Sequence, residues 1–128
     1  MAIRVVRLGS PREKGEGLRV GTVRRPPRGV PKREYASRDL YDVWLPNLAP
    51  SEALLRVALG AKDERTWRLF ERRYRAEMSR PEARRVLELL AALSRTSDFS
   101  VGCYCTDERR CHRSVLRQLL TESGATMA

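Results

Sequence analysis

One stretch constrains the fold more than any other. From Phe99 to Cys105 the side chains alternate, with Phe99, Val101, Cys103 and Cys105 on one face and Ser100, Gly102 and Tyr104 on the other, which is the period of a β-strand. Val115, Leu116, Leu119 and Leu120 then recur at helical spacing until Gly124. A strand feeding directly into a helix is half of a βαβ unit, and such units build parallel sheets covered by helices. The expected fold is a single-domain three-layer α/β/α sandwich with a mainly parallel central sheet, flavodoxin- or Rossmann-like. A chain of 128 residues fits one such α/β domain over residues 1–128.

The remaining elements follow from local pattern. The β-branched run from Ala2 to Leu8 ends at Gly9-Ser10-Pro11 and predicts a strand and a turn. Leu18 to Val23 predicts a second strand, with Leu18, Val20 and Thr22 on one face, after a charged Pro11–Gly17 segment expected to be a mobile surface loop. Residues 24 to 33 carry three prolines and five Lys/Arg and cannot be regular structure. Leu40 to Leu48 is read as a short turn or strand that delivers Trp44 to the core, and one or two extra strands are expected within 34–48. Ser51 is a candidate cap for a helix stopped by Gly60. A second helix runs from Asp63 to about Ser79, with Trp67, Phe70, Tyr74 and Met78 as its core stripe. Ser79 is then expected to cap a third helix, supported by Pro81 and Glu82, whose apolar face is Ala83, Val86, Leu87, Leu90 and Leu93.

Charge points to a polyanionic partner. The net charge is +10, and it is uneven: residues 1–40 hold eleven Lys/Arg against four Asp/Glu. Clustered guanidiniums release counterions when they neutralise phosphates, so nucleic acid is the expected partner, DNA before RNA. The residues expected to meet it are Arg7, Ser10, Arg12, Arg24, Arg25, Arg28, Lys32, Arg33, Arg109 and Arg110. No apolar run approaches the roughly 20 residues of a membrane span, and an odd three cysteines do not make a secreted disulfide framework. A cytoplasmic protein is expected, with no membrane partner.

The loop from Cys105 to Cys111 occupies the edge where open parallel sheets bind ligands. Together with its flanking residues it holds all three cysteines and the only histidine. Phosphodiester hydrolysis is the leading reading, a metal-dependent nuclease acting on DNA. His112 would be its general acid or base, Asp107 and Glu108 its ligands for a divalent cation, expected to be magnesium, and Arg113 its charge stabiliser. Asp39 or Asp42 could join the carboxylates. Cys111, at a helix start beside arginines, is the candidate thiol nucleophile. The run Cys105-x5-Cys111 places a cysteine where a phosphatase-type C-x5-R loop needs arginine, and there is no C-x-x-C pair. Structural zinc on Cys103, Cys105, Cys111 and His112 lacks the usual ligand spacing. Cys103 and Cys105 are accordingly expected to be structural. A non-catalytic nucleic-acid-binding or regulatory module, a thiol enzyme and a zinc protein stand as alternatives.

Several pieces taken together carry a resemblance: Arg7-Leu8 leading to Ser10-Pro11, Leu18-Arg19-Val20, Pro27-Arg28-Gly29-Val30-Pro31-Lys32, Trp44-Leu45-Pro46-Asn47-Leu48-Ala49-Pro50-Ser51, Trp67-x-x-Phe70-x-x-Arg73-Tyr74 and Cys103-x7-Cys111-His112-Arg113. They resemble the YeaO-like family, domain of unknown function number 488, and the Cys-His-Arg run is similar to that of the family's second branch. The resemblance implies a compact layered α/β domain and no assigned activity. Val23-Arg24 replaces an Asp-Arg pair common in the family, and Cys105 stands where the second branch often has glutamate. Both departures remove a carboxylate from the expected metal site.

Overall fold

The computed structural model describes residues 1–128. Four strands, β1 (Ile3–Arg7), β2 (Leu18–Gly21), β3 (Val43–Trp44) and β4 (Phe99–Cys103), form one sheet in the order β1-β4-β2-β3. All pairings are parallel, with Val5 opposite Val101 and Val20 opposite both Val101 and Val43. Four helices complete it: α1 (Glu52–Leu59), α2 (Glu64–Met78), α3 (Pro81–Leu93) and α4 (His112–Glu122). The layered α/β class read from the sequence holds, and the strand expected within 34–48 is β3. No helix is long and apolar enough to cross a membrane.

The helices form one layer. Their buried stripe, Trp67, Phe70, Tyr74 and Met78 with Leu87 and Leu116, shares a core with Ile3, Val20, Phe99 and Val101 from the sheet. Each such side chain contributes roughly 1.5–3 kcal/mol by leaving water. The opposite face is covered by loop residues, among them Leu8, Val23 and Tyr41 in a second, smaller cluster. Gly102 and Gly21 lie on that face. A Cβ on Gly102 would fall 2.5 Å from the Val6 carbonyl oxygen, and one on Gly21 would fall 2.5 Å from the Tyr41 ring. The cover fits this closely only because both side chains are absent.

Several expectations are corrected here. β4 is an interior strand, paired with β1 and β2, and all five of its residues are buried. It ends at Cys103, which places Tyr104 and Cys105 in the following loop. Leu18 is mostly exposed and does not join Val20 in the core. Trp44 is not a core residue: it sits on the edge strand, 43% exposed, and its indole N–H donates to the Val23 carbonyl at 2.7 Å. Ser79 does not cap α3. Arg80 takes that position without a side-chain bond, while Ser79 Oγ donates to the Ala76 carbonyl.

The segment 11–17 is not a free loop either. Glu16 is buried, accepts from Arg19 Nε at 2.8 Å and from Ser100 Oγ at 2.7 Å, and so anchors the loop to the sheet. Arg19, 1% exposed, also donates to the carbonyls of Ser10 and Asp39. A buried charge persists only when paired and hydrogen-bonded, and here both conditions are met.

Candidate active site

The site begins where β4 stops. The carboxyl ends of β1, β4 and β2 lie on one edge, and the chain leaves β4 through a loop that returns into α4. A 3-10 helix, Glu108–Arg110, shapes the loop, and the Asp107 carboxylate caps it by accepting the Arg109 N–H at 3.0 Å. Cys111 is the N-cap residue of α4 and turns back beneath the loop, so that its Sγ lies 2.8 Å from Cys103 Sγ. Both thiols are reduced and buried, in a small apolar cluster with Leu8, Val23 and Tyr41. Cys105 is exposed.

His112 points inward from the first turn of α4. Its Nε2 lies 2.9 Å from the Thr22 carbonyl, an acceptor only, so Nε2 carries the proton and donates. Nδ1 then faces Cys111 Sγ at 3.7 Å with its lone pair. The ring is packed edge-on against Tyr74, with centroids 5.6 Å apart. Burial lowers its pKa to about 4, so it is neutral near pH 7.

Arg113 is the unusual charge. It is 3% exposed, donates from Nη2 to the Cys105 carbonyl at 2.6 Å, and its buried Nε has no partner. No carboxylate lies within ion-pair distance of it. Arg19, equally buried, has Glu16; Arg113 has sulfur. Burial opposes its charge, the sulfur cluster around it favours that charge, and the net shift of its pKa is upward.

The three thiols share their protons unequally. The neighbouring Cys103 and then Cys111 thiols favour a charged Cys105, aided by His112 and the charge of Arg113 and opposed by partial burial, so its pKa is lowered. Cys103 is pushed up by its thiol neighbours Cys105 and Cys111 and by burial. For Cys111 the bond to Cys103 alone would lower the pKa, but Cys105 and burial win and hold it at about 11. The most accessible of the three sulfurs is the one whose surroundings favour the thiolate.

Above Cys105 opens a cavity of about 660 Å³. Its walls are largely apolar, with Val23, Val30, Leu40 and Leu55, while Arg24, Arg25, Arg28 and Arg38 supply the charge. Arg24 is spent on the carbonyls of Pro50 and Ala49, Arg25 on Glu52, and Arg38 on Glu34. Arg28 forms no ion pair and stays exposed.

The sequence-predicted residues are thus dispersed. Cys103, Cys105, Cys111, His112 and Arg113 converge; Cys105 and the buried Cys103 and His112 reach the cavity lining, while Arg113 and Cys111 lie beneath it. Asp107 and Glu108 are not with His112. Asp107 lines a separate depression with Glu64 and Arg110, and Glu108 is gripped by Arg117 at 3.0 and 3.2 Å. Asp42 is held bidentately by Arg12, which also reaches Asp39. The carboxylates are used up by arginines, which is why they do not gather into a magnesium site.

The donors that do gather are soft. Ligand atoms of Cys103, Cys111 and His112 lie within 4.8 Å of one another, a set suited to a thiolate-binding metal rather than to a hard cation. Among the expected phosphate-contacting residues, Arg7 donates to the Tyr104 carbonyl, Ser10 to the Arg7 carbonyl, Arg109 pairs with Asp107 and Arg110 lies 3.9 Å from Glu64. Lys32 and Arg33 are exposed beside Trp44. Thr22, which orients His112, carried no sequence signal, because a threonine in a strand is ordinary. The exposure of Cys105 was hidden by the alternation that extended the strand two residues too far.

A family model described as the active DUF488-N3 subclade matches residues 3–124. The chain belongs to this family. The match spans both the sheet and the Cys103–Arg113 loop, so the site just described lies wholly inside the DUF488-N3 domain. No curated protein and no solved structure matches it.

Proposed function

We propose that this DUF488-N3 chain is a thiol enzyme in which Cys105 attacks a phosphate-bearing substrate of nucleotide size. One observation carries the reading: Arg113 is a buried guanidinium without a carboxylate, bonded to the backbone carbonyl of the exposed Cys105. Such a charge is costly unless a negative partner is present, and an ionised Cys105 supplies it. The α4 N-terminus adds a partial positive charge at the same place.

In the reaction the Cys105 sulfur donates an electron pair to the phosphorus, and the leaving group departs with the electron pair of its broken bond. Water then takes the phosphoryl group from sulfur, releasing phosphate and a proton and restoring the thiolate. Arg28 meets the substrate anion in the cavity. Arg113 is a positioning residue, fixing the loop through the Cys105 carbonyl. The cavity volume of about 660 Å³ is suited to a ligand with an apolar body and an anionic end.

Metal-dependent hydrolysis of DNA receives less support, since Asp107 and Glu108 lie apart from His112 and the neutral histidine is screened from solvent. A zinc centre on Cys103, Cys111 and His112 is a second reading, favoured by the 4.8 Å grouping and by the Thr22 carbonyl orienting the imidazole. The buried Arg113 charge works against placing a dication there.

Iodoacetamide labelling at pH 6, mapped by peptide mass, tests the thiol reading. Cys105 is expected to react at least about tenfold faster than a free cysteine, with Cys103 and Cys111 unlabelled. An aryl phosphate should leave a phosphoryl group on Cys105 and release its phenol. Labelling no faster than free cysteine overturns the proposal, and stoichiometric zinc in protein purified without chelators favours the metal centre.

A further inference from the structure

A second cavity, of about 610 Å³, lies on the edge-strand side of the sheet and plays no part in the thiol chemistry. Trp44, Tyr35 and Tyr41 line it together with Lys32 and Arg33. The indole of Trp44 is fastened by its polar edge, through the 2.7 Å bond to the Val23 carbonyl, while 43% of the residue stays in solvent. A ring held in that way is presented outward by the fold. Tyr35 and Tyr41, with centroids 5.1 Å apart and tilted by 58°, form the neighbouring wall.

The charge of this cavity is one-sided. Lys32 and Arg33 are exposed and make no ion pair, whereas the lining carboxylate of Asp42 is neutralised by two bonds from Arg12. Pro26 lines both this cavity and the one above Cys105. The basic segment 24–33 therefore joins an aromatic platform to the thiol site.

We propose that this groove binds single-stranded nucleic acid. A base stacks on the indole of Trp44, the adjoining phosphates meet Lys32 and Arg33, and the strand continues over the 26–33 segment toward Cys105. Lys32 and Arg33 would attract any polyanion, but an exposed, edge-fixed indole adds affinity only for a ligand with a free aromatic face. Duplex bases are already stacked on each other and cannot offer one. The binding stands without the thiol chemistry; the further statement that the bound strand is the substrate rests on the thiol reading above.

Intrinsic fluorescence reports this site selectively, because the other of the two tryptophans, Trp67, is 5% exposed and lies in the core. The full chain is titrated with a labelled single-stranded DNA oligonucleotide, its duplex and heparin, reading indole quenching and label anisotropy. Single strand is expected to quench and to bind more tightly than duplex or heparin. Trp44→Ala should weaken that binding by about 5- to 150-fold, the range for loss of one stacked base. Trp44→Phe, which keeps a ring, should fall between, guarding against a folding artefact. Lys32→Glu with Arg33→Glu should weaken binding and reduce its salt dependence. Equal affinity of Trp44→Ala and the unaltered chain overturns the proposal, as does heparin binding as tightly as the oligonucleotide. Cys105→Ser should still show quenching of Trp44 by the oligonucleotide, so loss of stacking and loss of thiol chemistry are separately visible.

Discussion

Arg113 Nη2 donates to the Cys105 carbonyl at 2.6 Å from a side chain that is 97% removed from solvent by its 3% exposure. The bond ties the first turn of α4 to the loop that carries the exposed thiol. Because the guanidinium has no carboxylate, the sulfur cluster is its electrostatic partner.

Removing that charge should raise the Cys105 pKa. Arg113→Met is expected to move the midpoint of the alkylation-rate profile upward by about one unit or more, and Arg113→Lys by less, since lysine keeps charge but loses the planar fork. An unchanged profile in Arg113→Met, read by iodoacetamide rates over pH 4–9, means that Arg113 does not act on the thiol.

His112 should make the fold sensitive to mild acid. Its folded pKa of about 4 lies below the unfolded value near 6.5, so the unfolded chain binds the extra proton between them. Stability from keeping the ring neutral is complete above about pH 6.5, falls as pH drops toward about 4, and then levels off. The loss integrates to about 3 kcal/mol. Urea unfolding across this window measures it, and His112→Asn should flatten that part of the curve.

Glu16 and Arg19 form the other buried charge pair, bonded at 2.8 Å. Glu16→Gln leaves the Arg19 charge uncompensated and is expected to destabilise by about 3–5 kcal/mol in denaturant unfolding. Burial alone would raise the Glu16 pKa, but the bonds from Arg19, Ser100 and the Glu13 N–H together outweigh it and hold it down. Its contribution is therefore present above the ordinary glutamate range and is lost as pH falls through the depressed value, an acid limb that Glu16→Gln should lack.

Gly102→Ala tests the fit of the loop layer. The new methyl would sit 2.5 Å from the Val6 carbonyl oxygen and 2.9 Å from a Leu8 methyl, in an interior strand where backbone cannot yield. A loss of about 1–3 kcal/mol is expected from overpacking. A Tm equal to that of the unaltered protein would show that β1 and β4 can separate at this point.

Long periodic segments were legible in the sequence because their side chains interact within the element. The α2 stripe from Trp67 to Met78 and the strand-loop-helix at Phe99–Leu120 needed only spacing to be read. The position of Trp44 is not legible in the sequence because an edge strand and a bond to Val23 are long-range facts. Asp107 and Glu108 have the look of metal ligands in the sequence, but in the fold Arg109 and Arg117 hold them.

The sequence by itself determined the layered α/β class, the family, and the loop between β4 and α4 as the place where reactive side chains meet. Only the tertiary structure decided which of those side chains is a reagent. Burial makes His112 neutral and locks Cys103 and Cys111 as thiols, while the end of β4 two residues before Cys105 leaves that sulfur in the open. Protonation state depends on solvent exposure and on groups far along the chain, such as Thr22, and spacing carries neither.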